Sequence, residues 1–309
     1  MDSMLDRKLK DRFRAFLGFQ GEKPAAAARK SIQAVFDRIL SNGWEAYIVG
    51  GTLRDIMLAP RSIFPRDIDI IIAGATADAL LATFHDLLHR RTRFGGLHLI
   101  GDFSYGGITR SSGHIYFDVW RLEDTWGICH AHLAPTIDNF VKTPFLNIDS
   151  VAIELVPKGA RRRVVECGFF DALVTRTLEI NYAPNPYPSV CIVRSLIMAA
   201  KLQFALGPNL AAYIAAHAAN GSVDDLLDAQ RSHYGEIRCG KEEIQGWLAR
   251  ITAAVNAGVI GIQLPTTSSR QLTLWNNWPP TAISSPAPYR LHPSPDSNLI
   301  QKDLSAITE

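Results

Sequence analysis

Two aspartates, Asp67 and Asp69, occur two residues apart in the apolar segment DIDIII. If this segment is a strand, both carboxylates project from one face, and Ile68, Ile70 and Ile72 point from the other face into a core. Paired carboxylates suit a divalent cation, which prefers oxygen ligands. The spacing therefore predicts a metal site; the alternative for such a pair is a solvated or helix-capping role.

Two glycines precede this pair, at the end of the apolar run from 46 to 49. Gly50 and Gly51 are followed by Thr52 and Arg54, which open a predicted short helix. Glycines at a strand-to-helix turn let backbone N–H groups approach a phosphate. An ordinary turn is the alternative. Taken with the aspartates, the glycines indicate a metal-dependent reaction on a nucleoside triphosphate.

The joint pattern is GG-x-x-RD followed by RD-x-D in an Ile-rich strand. Over residues 44–125 it resembles the head of the class II nucleotidyltransferases of the polymerase-beta superfamily, the bacterial poly(A) polymerases and CCA-adding enzymes. The resemblance implies an α+β fold, in which a mixed sheet flanked by helices is followed by a helical neck. It also implies two Mg²⁺ ions, with Mn²⁺ as a substitute, held by the catalytic carboxylates Asp67, Asp69 and Asp118.

Asp118, the third of these carboxylates, lies in a predicted strand from 115 to 122 among residues that favour burial. A buried carboxylate is costly unless it is paired or metal-bound, and an edge strand that exposes it is the alternative. The family has an RFGT-like element before its third carboxylate and an arginine after it. Here the segment 93–96, RFGG, precedes Asp118 and Arg121 follows it, so the resemblance implies a metal ligand.

Cationic side chains near these motifs are candidates for binding the triphosphate and the base. A guanidinium can contact two phosphate oxygens at once, but for Arg54 a salt bridge to Asp55 that shapes the turn is an equal alternative. Arg194 matches an arginine of the family's neck helix. The candidate nucleotide-binding residues are Gly50, Gly51, Thr52, Arg54, Arg121, Lys142 and Arg194.

The sequence departs from the family at two motifs. Where relatives have RRDF beside the incoming ribose, residues 142–145 read KTPF, which permits a relaxed sugar preference and the use of deoxynucleotides. Where the neck helix of relatives has ED-x-x-R, this chain has Tyr187, Pro188 and Cys191. CCA-adding enzymes choose C or A with those side chains, so ordered C-C-A addition is not expected.

The composition is that of an ordinary soluble globular protein. The 309 residues are 47% hydrophobic and 20% charged, and the formal net charge of +2 is too small to establish a nucleic-acid partner. No apolar run reaches the ~18 residues of a membrane span, and the N-terminus lacks a signal-peptide pattern. The four cysteines are scattered, which favours reduced thiols and a cytoplasmic location over disulfides or a zinc site.

Periodicity and turn signals predict how the chain is divided. The predicted segments are an N-terminal helix (1–24), a catalytic head (25–172), a helical neck (173–258) and a Pro/Ser-rich tail (259–309). We predict helices at 25–40, 76–90 with Thr76 as N-cap, 188–218 with a break at Gly207-Pro208, 222–232 and 241–256. Strands are predicted at 44–49, 94–100 and 115–122, the last two separated by a Gly- and Ser-rich turn at 101–114.

These motifs predict an enzyme that transfers NMP or dNMP from a nucleoside triphosphate to a hydroxyl and releases pyrophosphate. The expected acceptor is the 3′ end of an RNA, such as tRNA, or of another oligonucleotide. A second hypothesis makes the acceptor a protein or small molecule, as in toxin or anti-phage defence systems, with Tyr289 as a self-acceptor. A third is an inactive nucleotide-binding scaffold. The oligomeric state is left open.

Overall fold

The computed structural model describes residues 2–18, 24–58, 67–92, 95–105 and 111–265. Several residues that the sequence analysis names lie outside these ranges. They are Arg66, Arg93, Phe94 and most of the C-terminal tail, including Tyr289.

A seven-stranded mixed sheet carries the three aspartates that the sequence predicts as metal ligands. Its strands are β1 (Glu45–Val49), β2 (Asp67–Ala73), β3 (Leu88–Arg91), β4 (Leu97–Tyr105), β5 (Ser111–Arg121), β6 (Val151–Glu154) and β7 (Val164–Glu166). In space they follow the order β3-β4-β5-β2-β1-β6-β7. The β2–β5 pair is parallel, and the other neighbouring pairs are antiparallel. A small parallel pair joins β8 (Thr177–Leu178) to β9 (Ala205–Leu206).

Helices flank this sheet and form the C-terminal part of the described chain. Before and within the sheet region they are α1 (Asp2–Gly18), α2 (Pro24–Ser41), α3 (Gly51–Leu58), α4 (Ala77–Phe84), α5 (Trp126–His130) and α6 (Ile137–Phe140). After it come α7 (Phe169–Thr175), α8 (Pro188–Leu202), α9 (Pro208–Asn220), α10 (Val223–Tyr234) and α11 (Lys241–Asn256). The predicted α+β architecture and the helical neck are therefore present, whereas the exact domain boundaries stay predictions.

The alternation in β2 sets the two sides of the sheet. Ile68, Ile70 and Ile72 are fully buried, whereas Asp67 and Asp69 are half-buried. The buried face packs against α2, and α1 docks nearby through its own fully buried Leu9 and Phe13. On the opposite face, Ile71 is fully buried in a second apolar cluster, and only the earlier positions, Asp67 and Asp69, are left for the site.

The predicted helix at 76–90 is wrong in its second half. Thr76 caps α4 as predicted, since its hydroxyl accepts a hydrogen bond from the Ala79 N–H at 3.2 Å, but α4 ends at Phe84. Residues 88–91 form β3 instead, where Leu88 pairs with Leu99. Sheet pairing overrides the helix propensity of this segment.

The predicted turn at 101–114 is also wrong, because β4 continues to Tyr105 and β5 begins at Ser111. Two positions of this ladder favour glycine, because neighbouring aromatic rings occupy the space that a side chain would need. A Cβ placed on Gly113 would lie 2.6 Å from the ring of its cross-strand partner Phe103, and one on Gly101 would lie 3.1 Å from Phe117.

Among the helices of the described ranges, none combines the length and apolar character needed to cross a membrane.

The packing of Phe103 over Gly113 predicts that a larger residue at position 113 destabilises the protein. Gly113→Ala should lower the free energy of unfolding by about 1–3 kcal/mol because the added methyl overpacks the ring. Gly246→Ala is the matched control, since Gly246 lies within α11 with open space around it, and it should be stabilising by up to ~1 kcal/mol. Urea unfolding of both variants measures the difference, and equal midpoints would contradict the assigned hairpin packing.

Candidate active site

Three carboxylates converge on adjacent strands. Asp67 and Asp69 share one face of β2, and Asp69 stands directly opposite Asp118 in the parallel β2–β5 register. Residues directly opposite in a ladder share a face, so all three carboxylates lie on one side of the sheet. The structure thus places on one face of two neighbouring strands the three residues that the sequence singles out as metal ligands.

The charges of these residues act on one another. Burial, followed by the negative charges of Asp67 and Asp118, raises the pKa of Asp69 well above its usual range. Arg194 opposes this shift by favouring the charged form. A proton or a cation at Asp69 would relieve this repulsion.

The donor chemistry of the cluster fits Mg²⁺ or Mn²⁺. Its ligands are carboxylate oxygens, which these hard cations prefer over the nitrogen and sulfur donors typical of zinc sites. Across the described ranges, no three His, Cys, Asp or Glu side chains are already gathered into a group that could hold a metal ion. One oxygen of Asp118 is engaged elsewhere, with His98 Nδ1 at 2.6 Å. Metal ligation by these residues therefore stays a prediction.

The glycine turn connects the end of β1 to α3. Gly50 adopts a left-handed φ of +61°, which favours glycine, and its N–H donates to the Val151 carbonyl at 3.0 Å. The Gly50 N–H is thus engaged in the fold. Gly51 and Thr52 open α3. The next two N–H groups, of Leu53 and Arg54, donate to the Gly50 carbonyl, so the N–H groups of Gly51 and Thr52 are the ones at this helix start that suit an anion. The Thr52 hydroxyl donates to the Asp67 carbonyl at 3.1 Å, which ties this turn to β2.

Arg54 is buried in an ion-pair cluster and is not presented to solvent. Its Nε donates to Asp55 at 2.9 Å, as the salt-bridge alternative predicted, and its Nη1 donates to Asp149 Oδ1 at 2.6 Å. Burial acts to lower the pKa of Arg54, but Asp149 and Asp55 outweigh it and raise that pKa. Arg54 therefore shapes the turn that precedes the site.

Asp149 is the residue that sequence reasoning missed. Its second oxygen, Oδ2, accepts a hydrogen bond from Arg194 Nη2 on α8 at 2.8 Å. Burial acts to raise the pKa of Asp149, but Arg194 and Arg54 together lower it. One buried carboxylate therefore links the glycine turn to the first neck helix. A carboxylate within the apolar run 145–153 is the same signal that identified Asp118.

The remaining predicted cationic ligands, Arg121, Lys142 and Arg194, differ in their contacts. Arg121 stands three residues after Asp118, so strand alternation places it on the opposite face, and it pairs with Asp124 at 2.6 Å. Lys142 is exposed and donates to Asn139 at 3.2 Å. Of the four cationic candidates, only Arg194 acts electrostatically on the carboxylate cluster and also keeps 42% of its side chain exposed.

The buried Asp149 bridge predicts a large loss of stability on its removal. Asp149→Asn should lower the free energy of unfolding by about 3–5 kcal/mol at pH 7, because Arg194 loses its carboxylate partner and the buried Arg54 keeps only Asp55. The depressed pKa means that this contribution is present above the unfolded pKa of about 3.9 and is lost as pH falls through the folded value. The gap between variant and wild type should therefore close in acid.

Asp124→Asn is the control for this experiment. It breaks the partly exposed pair with Arg121, which should contribute at most about 1 kcal/mol. Denaturant unfolding at several pH values compares the two variants. Equal losses, or a gap for Asp149→Asn that widens in acid, would contradict the bridge.

The crowded carboxylates predict that Mg²⁺ raises the stability of the wild type much more than that of Asp69→Asn. Mg²⁺ at ~100 times its Kd should stabilise the wild type by about 2.7 kcal/mol, whereas Asp69→Asn should gain little from the metal. Without metal, Asp69→Asn should be the more stable protein at neutral pH, because a raised folded pKa makes the ionised Asp69 destabilising above its unfolded pKa. Thermal unfolding with and without Mg²⁺ tests this, and equal stabilisation of both proteins would exclude Asp69 as a ligand.

Comparison with solved structures identifies the fold. The Thermotoga maritima CCA-adding enzyme complexed with tRNA gives a TM-score of 0.50 at 15% identity, over 78% of this chain and 54% of that chain. A tRNA-processing enzyme in an apo form gives 0.49 at 18% identity, over 75% and 58%. A tRNA nucleotidyltransferase complexed with a primer tRNA and an incoming ATP analog gives 0.46 at 21% identity, over 71% and 61%.

The chain thus spans between 54% and 61% of the length of these three proteins. No protein-family model and no curated protein matches it. At 15% identity the likeness to the Thermotoga maritima enzyme concerns the fold, and it confirms the α+β fold that the motifs predicted. The chain has the α+β fold of a class II nucleotidyltransferase head followed by a helical neck.

Proposed function

We propose that the protein transfers a nucleoside monophosphate from a nucleoside triphosphate to a hydroxyl group and releases pyrophosphate. The observation that carries this proposal is the register that sets Asp69 opposite Asp118, with Asp67 on the same face. A cluster of oxygen donors beside a glycine turn at a helix start suits a metal-bound triphosphate. The fold shared with the CCA-adding enzyme supports the same assignment.

Each group then has a definite role. Asp67, Asp69 and Asp118 would hold Mg²⁺ or Mn²⁺, most simply as two ions. When bound, such ions lower the pKa of an attacking hydroxyl and neutralise charge on the phosphates. The N–H groups of Gly51 and Thr52 at the start of α3 would bind phosphate oxygens, and the exposed part of Arg194 would reach the nucleotide from the neck. Arg54 and Asp149 orient these groups without touching the substrate.

The proposed acceptor is the 3′ hydroxyl of an RNA, with tRNA as the first candidate. This rests on the fold alone, since the structures with that fold include a CCA-adding enzyme complexed with tRNA. The neck residues argue against an ordered C-C-A product. Cys191, in place of an arginine of the family motif, is 5% exposed, and burial raises the pKa of its thiol to about 12. A buried neutral thiol cannot replace a base-reading guanidinium.

Sugar selection is proposed to be relaxed. Thr143 turns its hydroxyl back to the Phe140 carbonyl at 2.8 Å, and Phe145 packs against Tyr213 with ring centroids 5.3 Å apart. Thr143 and Pro144 occupy the positions of the family's Arg-Asp pair, so the charges with which relatives contact the ribose are missing there. Both ribonucleotides and deoxynucleotides are therefore proposed substrates.

Incubation with each labelled NTP and dNTP singly, in Mg²⁺, tests the proposal. The reactions are run with tRNA, with an unrelated oligonucleotide and without acceptor, and are resolved on denaturing gels before and after protease treatment. We expect label to extend the added RNA, and Asp69→Asn to lower the rate at least ~100-fold because it removes a metal ligand. Asp102→Asn is the control, since this strand aspartate is exposed and pairs with His114 away from the cluster.

Other outcomes have equally clear meanings. Label that appears without acceptor and shifts after protease treatment would replace RNA by the protein itself as the acceptor. Absence of pyrophosphate release with every nucleotide and acceptor, or equal rates for Asp69→Asn and Asp102→Asn, would contradict the proposed function.

A further inference from the structure

A histidine that the proposed chemistry does not use lies directly beside the third carboxylate. His98 on β4 stands opposite Asp118 on β5 in the antiparallel ladder. Its Nδ1 lies 2.6 Å from Asp118 Oδ1, which is the distance of a short charge-assisted hydrogen bond. The His98 side chain is 14% exposed and that of Asp118 is 31% exposed, so the bond is partly shielded from water.

The His98 ring is held from two sides. It stacks on Tyr116 with ring centroids 5.3 Å apart and an interplanar angle of 14°. His89 lies on another side of it, with ring centroids 5.8 Å apart at 57°. Tyr116 is two residues before Asp118 and therefore shares its face of β5. The packing on Tyr116 and His89 thus fixes the position of the imidazole beside the carboxylate.

We propose that His98 is a positioning residue for cation binding at Asp118. Its Nδ1–H donates to Asp118 Oδ1 and fixes the orientation of the carboxylate. The other oxygen, Oδ2, is then the one placed to bind a metal. Without the donor, repulsion from Asp69 would favour rotation of Asp118 away from the cluster. The inference rests on the proposed function, because metal binding by Asp118 belongs to that proposal.

The expected loss of metal affinity follows from the effect of hydrogen bonds to metal-ligating side chains. A hydrogen bond to a ligating side chain orients the ligand, and loss of such a partner typically costs about 10–100-fold in metal affinity or activity. A role limited to holding the strands together would instead change stability and leave metal affinity unaltered. The two roles can therefore be separated by measuring binding and unfolding on the same variants.

The same hairpin offers a matched control. His114 stands opposite Asp102 in the β4–β5 ladder, and its Nδ1 lies 2.6 Å from Asp102 Oδ1. This pair repeats the contact of His98 with Asp118, but it is exposed and lies away from the carboxylate cluster. His114→Leu therefore removes an equivalent cross-strand hydrogen bond without touching the proposed site.

The test is Mn²⁺ binding to the full chain without nucleotide, followed by electron paramagnetic resonance of the free ion. His98→Leu should weaken binding about 10–100-fold, and His114→Leu should leave it unchanged. His98→Asn should retain affinity within a few-fold, because its amide nitrogen can replace Nδ1, whereas His98→Gln places its donor too far along the side chain. Thermal unfolding of each variant is measured in parallel.

The results separate this inference from the proposed function. Wild-type binding that is abolished by Asp69→Asn but unaffected by His98→Leu would overturn the role of His98 and leave the proposed function standing. Affinity of His98→Asn as weak as that of His98→Leu would also overturn it, as would losses that follow thermal stability alone. Absence of Mn²⁺ binding by the wild type would contradict the proposed function itself, and the inference with it.

Discussion

The parallel pairing of β2 with β5 is the constraint on which the site depends. Side chains alternate along a strand, so a slip of one residue would move Asp118 to the opposite face from Asp69. The register is fixed by the buried face, where Ile68, Ile70 and Ile72 meet Phe117 and Val119 in the core. Burial of apolar side chains on one side of the sheet therefore determines which polar groups meet on the other. The energetic cost of crowding three carboxylates is offset by that burial.

A second constraint connects the sheet to the neck. Asp149 forms salt bridges with both Arg54, at the glycine turn, and Arg194, on α8. The position of the first neck helix is thereby coupled to the turn at which a triphosphate would bind. Because an unpaired buried charge is far more costly than a paired one, this three-residue cluster favours one arrangement of head and neck. His98 plays a smaller, local part by holding Asp118 from the neighbouring strand.

The sequence predicts the parts of the site that follow from local periodicity. The two faces of β2, the glycine turn, the α4 cap at Thr76 and the neck helices all depend on patterns within a few residues. Contacts between distant segments are not readable in this way. The role of Asp149 follows only from its salt bridges with Arg54 and Arg194. The β3 strand forms because Leu88 pairs with Leu99 on β4. Arg121 has the right residue type, but strand alternation places it on the other face from Asp118.

The most direct test of the account is a crystal structure of the protein soaked with Mn²⁺ and a non-hydrolysable nucleoside triphosphate, recorded at the manganese absorption edge. We predict anomalous density within ligand distance of Asp67, Asp69 and Asp118, with the phosphates beside the start of α3. Manganese bound away from these three carboxylates while the nucleotide is present would contradict it.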